Sequence, residues 1–314
     1  MKVSVVICTY ADDLHEHLKE AVESVQSQIY DDVEIVVVVD GNESLCGRVS
    51  EGYKNASDVI VHCNEKNIGL SASRNNALEH ASGDVIAFLD DDAVADERWI
   101  EELVKTYKTE DAIAAGGRMT PIWIDGKPEF LPEEFYWLVG VTYPGFAEAG
   151  EEVRNTFGSN ISFRSDVLRE LGGFDSEVGR KGDLNLQAEE PLLGARMREE
   201  YGRGVVYNPD AEVRHKVFDY RTDPVWLFKR AFWQGYSKRA METLVDGESS
   251  GEESEFLGRL LFESVPSRLR SLIKQPGLSK LSQLAMLFVL TAAVGMGYVY
   301  ALVRLQVVGA DRSQ

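Results

Sequence analysis

Short apolar runs recur through the first third of the chain: Val3 to Ile7, Ile35 to Val39, Val59 to Val61 and Val85 to Leu89. They are too short for helices and rich in β-branched residues, so they read as buried strands. Helical patterns separate them, notably Leu14 to Gln26 and Ser71 to His80. Such alternation predicts a parallel sheet covered by helices. A further helix is expected from about Asp96 to Tyr107, and a strand over Ala112 to Ala115. Met119 to Glu152 is rich in Pro, Gly and aromatics with weak periodicity, and reads as a functional loop or lid. A second block, Thr156 to Phe218, should hold a strand (Asn160 to Phe163), a helix (Ser165 to Leu171), a Gly172-Gly173 turn and a helix from Glu190 to Glu200. The Gly/Ser/Glu-rich stretch Asp246 to Glu255 reads as a linker.

The pattern changes near the C-terminal end. Leu281 to Val303 runs 23 residues without a charge. About 20 apolar residues suffice to cross a bilayer, and a buried core helix is the bland alternative. Arg259, Arg268, Arg270, Lys274 and Lys280 precede the run, and Arg304 and Arg312 follow it. The positive-inside rule then predicts a single-pass protein of the cell membrane, with its large N-terminal part cytoplasmic. Just upstream, Trp226 to Arg239 mixes aromatics with cations, and no acid occurs from Pro224 to Met241. This fits a helix at an anionic membrane interface, or a packed helix with a basic outer face.

A chain of 314 residues holds one large α/β domain or two smaller ones. Its formal net charge of -19 is spread along the sequence, and Lys is scarce beside Arg, 13 against 20. This resembles the carboxylate-rich surfaces of halophile proteins and argues against nucleic-acid partners. The cysteines Cys8, Cys46 and Cys63 fit no zinc spacing, and an odd count completes no disulfide framework. A reducing cytosol is the simple expectation.

Candidate chemistry gathers at strand ends. Asp90-Asp91-Asp92 directly follows the run Val85 to Leu89. Open α/β sheets bind ligands at the carboxyl ends of strands. Clustered carboxylates need a cation or donors to balance them, and Mg²⁺ or Mn²⁺ with substrate phosphates is the natural counterpart. The alternative is an acidic loop or helix cap. Thr9 and Tyr10 end the first strand and could meet a base or ribose. Asp40 ends the second, ahead of Gly41, where a β-turn role competes with ligand binding. Asn67 and Gly69 form a turn that opens a helix carrying Arg74, a cation suited to phosphates. Glu189 and Glu190 head a later helix, where a carboxylate can take a proton or merely favour the helix start.

Taken in order, these elements resemble glycosyltransferase family 2, inverting enzymes with a GT-A fold. The resemblance covers about residues 1–220. It includes Gly158-Ser159-Asn160 followed by Phe163-Arg164, and Leu171-Gly172-Gly173-Phe174-Asp175, similar to the family's Gly-Gly-Phe-Asp turn. It implies a Rossmann-like, mostly parallel sheet, a nucleotide-sugar donor (usually UDP- or GDP-linked, here expected to be UDP-linked), and a divalent Mg or Mn ion. Thr9, Tyr10, Asp40, Asn67, Gly69, Arg74 and Asp90, with Asp91 beside them, would then hold the nucleotide. Asp92, with Asp90 and His215, would bind the metal. Glu190 falls where the family has its general base, and Glu189 is the other candidate.

The implied organisation is a catalytic domain over 1–220, with a donor half at 1–118 and an acceptor half at 156–220. Amphipathic interface helices and a linker follow at 221–280, a membrane helix at 281–303 and a short tail at 304–314. With the halophile-like charge, the chain resembles haloarchaeal family members that build dolichyl phosphate-linked glycans for protein glycosylation. That resemblance implies a lipid-linked acceptor and glucuronic acid as the sugar. Arg118, Arg154, Arg164 and Arg180 are candidates to meet a sugar carboxylate. A polyprenyl-phosphate sugar synthase, or a sugar-binding scaffold without catalysis, are the alternatives.

Overall fold

A computed structural model of the chain describes all residues except 177–179, 182–183, 186–187, 244–250 and 312–314; residues 180–181, 184–185, 251–253 and 305–311 are described by backbone alone. Two compact units emerge. The first comprises Met1–Ile122, Ala147–Gly179 and Glu189–Lys216, and the second Trp123–Phe146, Arg180–Ala188 and Val217–Gln314.

The first unit follows the predicted alternation: β1 (Val3–Thr9), α1 (His15–Gln26), β2 (Val33–Asp40), α2 (Glu43–Tyr53), β3 (Val59–Asn64), α3 (Leu70–His80) and β4 (Val85–Asp90). Next come β5 (Ala93–Ala95), α4 (Trp99–Thr109), β6 (Ala114–Trp123), β7 (Glu152–Val153), β8 (Ile161–Arg164) and α5 (Ser165–Glu170). A two-stranded ladder, β9 (Arg180–Lys181) and β10 (Leu184–Asn185), precedes α6 (Glu189–Tyr201) and β11 (Val205–Val217). The main sheet runs β3-β2-β1-β4-β8-β6-β11-β5, with β7 also on β11. The pairs among β1 to β4 are parallel, and β8 and β11 bring antiparallel pairing. The sheet is therefore mixed. The parallel strands are near-continuous apolar runs because both faces are covered. Val5, Ile7, Val37, Val39, Ala87 and Leu89 lie in one core with Leu18 and Val22 of α1 and Trp99 of α4.

Register aligns the strand ends. Cys8 of β1 lies opposite Asp90 of β4, Thr9 opposite Val39 of β2, and Asp40 opposite Asn64 of β3. The chemistry-bearing residues thus share one carboxyl edge.

Met119 to Glu152 departs from the expected lid. Its first residues complete β6. A 3-10 helix follows at Glu133–Val139, with Phe135, Leu138 and Val139 about 1% exposed. The aromatics that broke the periodicity are core residues of the second unit. There they pack with α7 (Pro224–Met241), a π turn at Leu260–Ser264 and α10 (Leu278–Asp311) through Leu227, Ala231, Leu260, Leu287 and Leu290. α8 (Gly251–Arg259) and α9 (Val265–Lys274) complete the unit. The expected linker lies partly outside the described residues, and from Gly251 the chain is helical. α10 includes one stretch, Leu278–Arg304, long and apolar enough to cross a membrane, with mean hydropathy 2.0.

Cysteine counting also needs correction. Cys46 of α2 and Cys63 of β3 are bonded, with Cα atoms 6.0 Å apart, and Cys8 is the third, free cysteine. Three cysteines allow one bridge and a remainder, and α2 packs beside β3. A reducing compartment therefore no longer follows from the count.

One buried carboxylate makes the first unit acid-sensitive. Glu34 of β2 accepts from Ser4 Oγ at 2.6 Å and Ser82 N at 2.6 Å, and Lys2 Nζ lies 2.5 Å away. Burial pushes its carboxyl up, but these donors outweigh burial and hold it at about 2. A lowered folded pKa gives stability that is full above the unfolded value of about 4.3 and fades as pH falls towards the folded value. Glu34→Gln should lower Tm at pH 7, at a cost of about 2 kcal/mol. The gap to the unsubstituted chain should close between pH of about 4.3 and about 2. Thermal melts across that range check this, and a gap independent of pH would refute it.

Candidate active site

Three short side chains meet where β4, β5 and β11 run together. β4 ends at Asp90, and the next two residues turn into β5. β11 lies antiparallel to β5 with His215 opposite Ala93, and Lys216 N donates to Asp92 O at 2.9 Å. This register brings His215 Nε2 to 3.3 Å from Asp92 Oδ1. Ligand atoms of Asp90, Asp92 and His215 all lie within 4.8 Å of one another. Asp92 is 5% exposed and His215 3%. Burial pushes the Asp90 carboxyl up, Arg74 pulls it back, and the Asp92 charge pushes it up again. Two carboxylates and an imidazole in this proximity could hold a divalent ion, which would relieve their repulsion.

Arg74 joins this cluster to a third carboxylate. From α3 its guanidinium donates to Glu190 Oε1 at 2.7 Å, Gly158 O at 3.1 Å and Asp90 Oδ1 at 3.3 Å. Its Cζ lies 5.4 Å from the Phe88 ring centroid and 5.1 Å from that of Phe174. Arg74 is 3% exposed. Burial alone would lower its pKa, but the Glu190 and Asp90 charges outweigh burial and raise it. The sequence reading gave Arg74 to phosphates. In this structure it spans the Asp90 and Glu190 carboxylates.

Several residues exist to make that span fit. A Cβ on Gly158 would stand 2.0 Å from Glu190 Oε1 and 2.9 Å from Arg74 Nη2. Ser159 Oγ accepts from Asp90 N at 2.9 Å, which fixes the end of β4. Asn160, fully buried, accepts from Trp99 Nε1 at 2.9 Å and donates to Ala211 O at 2.8 Å and Arg118 O at 3.1 Å. Asn75, one residue after Arg74, accepts from Phe174 N at 2.8 Å and donates to Phe174 O at 2.7 Å. That clasp seats the Phe174 ring beside the guanidinium. These supporting roles were missed by sequence reasoning. Their signal was the motif order, which marked the residues without saying what they hold.

Of the other candidates, Thr9 is 2% exposed and its Oγ1 has no hydrogen-bond partner in the described structure. A buried orphan hydroxyl at the strand edge suits a ligand. Tyr10, 61% exposed, stands at the same edge. Asp40 turns towards the Asn67–Gly69 loop: it accepts from Ile68 N at 3.0 Å and Gly69 N at 2.9 Å. It thereby pins the turn where Gly69, at φ 89°, caps α3. Gly41 beneath it has no room for a Cβ, which would meet Asn67 N at 2.0 Å. Asn67 itself is exposed. Asp91 and Glu189 are each 8% exposed. Cys8 joins the edge, its thiol pushed up to about 12 by burial. The candidate sugar-carboxylate arginines have other work: Arg118 pairs with Glu212 at 2.8 Å and Arg164 donates to Ala112 O at 2.8 Å. Arg154 donates to Asn155 Oδ1 at 3.2 Å, and the Arg180 side chain lies outside the described residues.

A family model for glycosyl transferase family 2 matches residues 4–172. The chain is 50% identical over 303 residues to the glucosyl-dolichyl phosphate glucuronosyltransferase of Haloferax volcanii, covering 96% of each chain. It is 28% identical over 178 residues to the succinoglycan biosynthesis protein ExoM of Rhizobium meliloti, covering 56% of this chain and 53% of that one. Among solved structures, the mannosyltransferase PcManGT from Pyrobaculum calidifontis, in complex with GDP-Man and Mn²⁺, aligns over 95% of this chain and 87% of that one, with TM-score 0.63 and 17% identity. TarS from S. aureus, in complex with UDP-GlcNAc, aligns over 94% of this chain and 82% of that one, with TM-score 0.56 and 18% identity. At these identities the two structures share the fold, an α/β GT-A sheet.

Two outcomes follow from the geometry. Gly158→Ala should push Glu190 from Arg74 and cut kcat by roughly 10²-fold, as misplacement of catalytic groups does. Circular dichroism should remain that of a folded chain. The unsubstituted chain should gain thermal stability on adding Mn²⁺ without any substrate present, and Asp92→Asn should abolish that gain in a thermal-shift measurement. A full Mn²⁺ response in the variant would remove Asp92 from the ligand set.

Proposed function

The chain belongs to glycosyltransferase family 2, and from that premise we propose that it transfers glucuronic acid from a UDP-sugar to a dolichyl phosphate-linked glucose. The sugar and acceptor rest on one observation, a likeness running along nearly the whole of both chains to a relative that carries that name. The nucleotide-bound neighbours support a nucleotide-sugar donor at the carboxyl edge, near Thr9, Tyr10 and Asp90. α10 supports attachment to the cell membrane, and the excess of Arg and Lys ahead of it supports a cytoplasmic catalytic unit. A halophile source fits the acidic composition.

The reaction is a single displacement with inversion. Glu190 takes the proton from the acceptor hydroxyl, whose oxygen attacks the sugar carbon from the face opposite the leaving diphosphate. Asp90, Asp92 and His215 would hold a divalent ion, which would supply positive charge for the leaving group. Arg74 donates to one oxygen of Glu190, so it fixes the carboxylate's direction and leaves the other oxygen for the proton. Asp90 is held by the same guanidinium, which links the donor side of the site to its acceptor side.

The test is a pair of carboxamide variants assayed for UDP release and for product mass. Glu190→Gln should lower kcat by about 10³-fold or more, within the span of general-base catalysis, while Glu189→Gln keeps most of it. The reverse ranking would move the base to Glu189. With UDP-glucuronate, glucose-charged dolichyl phosphate should gain a hexuronosyl mass and bare dolichyl phosphate should not. Product on the bare lipid phosphate would make the chain a polyprenyl-phosphate sugar synthase. UDP release with neither acceptor would overturn the acceptor class.

A further inference from the structure

The long apolar helix is packed along one side. Leu284, Leu287, Leu290, Ala293, Gly297 and Ala301 of α10 are its inward line, and all six are buried. α7 lies against it at backbone contact. A Cβ on Gly235 would meet Val294 O at 1.9 Å, and one on Gly297 would meet Phe232 O at 1.8 Å. Such closeness fixes the two helices as one body, in the manner of small-residue helix contacts.

The neighbours so fixed carry charge. Tyr298 Oη donates to Glu242 Oε2 at 2.8 Å, and Arg239 Nη1 donates to the same oxygen at 3.3 Å. At the other end Arg268 donates to Gln283 Oε1 at 2.8 Å and to Glu134 Oε1 at 2.8 Å. Charged groups therefore stand near both ends of the apolar run, at Gln283 and at Tyr298, and α7 meets it between them at Val294 and Gly297. If Leu281 to Val303 crossed a bilayer, α7 would be drawn in with it from its contacts at Val294 and Gly297, and α7 carries Lys229, Arg230, Lys238 and Arg239, which are costly in hydrocarbon.

The outward line of α10 is apolar and open. Phe288, Val289, Met296, Val299 and Val303 are 44–60% exposed. The neighbouring segment continues this character, with Phe262 of the π turn 80% exposed and Ile273 of α9 81% exposed. On α9 the exposed cations Arg270 and Lys274 have no carboxylate partner among the described residues. Beside exposed apolar groups these cations complement anionic headgroups.

We propose that the second unit is embedded in one leaflet of an anionic bilayer, with α10 lying in the membrane surface and not crossing it. The outward line of α10, with Phe262 and Ile273, enters the acyl boundary. Arg270 and Lys274 meet lipid phosphates, and α7 covers the protein side. This rests on the reading that α10 attaches the enzyme to a membrane, and it replaces the single span expected from hydropathy.

The test uses the full chain with one epitope tag before Met1 and another after Gln314, in sealed membrane vesicles. Protease added outside should treat both tags alike, removing both or sparing both. Removal of one with protection of the other would show a span and overturn the proposal. A second measurement is flotation with phosphatidylglycerol vesicles. The double variant Phe262→Ser/Ile273→Ser should lower the bound fraction by about tenfold or more, in line with lost apolar burial. Unchanged flotation would overturn the role of α9 and its flanking turn. A vesicle-free dimer that does not float would assign the outward face to a second copy and overturn the proposal too. UDP release in detergent reads the transfer reaction separately, so failure of that reaction and failure of membrane seating are distinguishable.

Discussion

A buried guanidinium with two carboxylates is the constraint around which the first unit is arranged. Arg74 donates to both Asp90 and Glu190 and is nearly sealed from water. A charge taken out of water this far must be matched by charge and hydrogen bonds, or the site loses more than the pair contributes. The match dictates much around it. Phe88 and Phe174 flank the cation. Gly158 must lack a Cβ, because any side chain would stand where Glu190 does. α6 must begin at Glu189, so that its first turn brings Glu190 within reach of α3. Residues 16 and 116 positions apart in sequence are thereby tied to one side chain.

This arrangement gives the site a polarity that suits sugar transfer. The Asp90 and Glu190 carboxylates would repel if brought together alone. Arg74 keeps them close and apart at once. The same cation orients Glu190, so under the proposed mechanism the base would be directed before any acceptor arrives, and preorganisation of this kind is where catalytic sites gain most. Its burial also explains why Arg74 suits the role better than Lys would. Its planar fork satisfies three acceptors in fixed directions, where an ammonium would act as a point charge.

Much of this was legible in the residues, and the limits of legibility are physical. The strands of the parallel half announced themselves because both faces are buried and their runs are unbroken. The aspartate triplet was visible because clustered acids at a strand end repel unless something balances them, and the Glu pair was visible only through its place in the motif order, since acids are ordinary in a first helical turn. What those acids meet is a long-range fact. No local pattern tells that Arg74 faces Glu190, that Asp40 turns back to clasp the Asn67–Gly69 loop, or that Asn75 holds Phe174. β11 was obscured because Asn208-Pro209-Asp210 reads as a turn, although its flanks pair with β7 and β5. Cysteine pairing failed for a related reason: a count cannot see that α2 lies beside β3.

Hydropathy answers a narrower question at the C-terminal end. A window average asks whether a helix would be content in hydrocarbon, and α10 passes. It does not ask what the helix brings along. Gly235 and Gly297 let α7 approach to backbone contact, so α10 cannot enter a bilayer without its partner. The energetic unit is thus the helix pair, and its polar side carries Arg239 and Glu242 in contact with each other. One apolar face and one charged face is the signature of an element that lies at an interface. An enzyme that acts on a lipid-borne sugar benefits from that geometry. Confinement to the surface raises its effective concentration there.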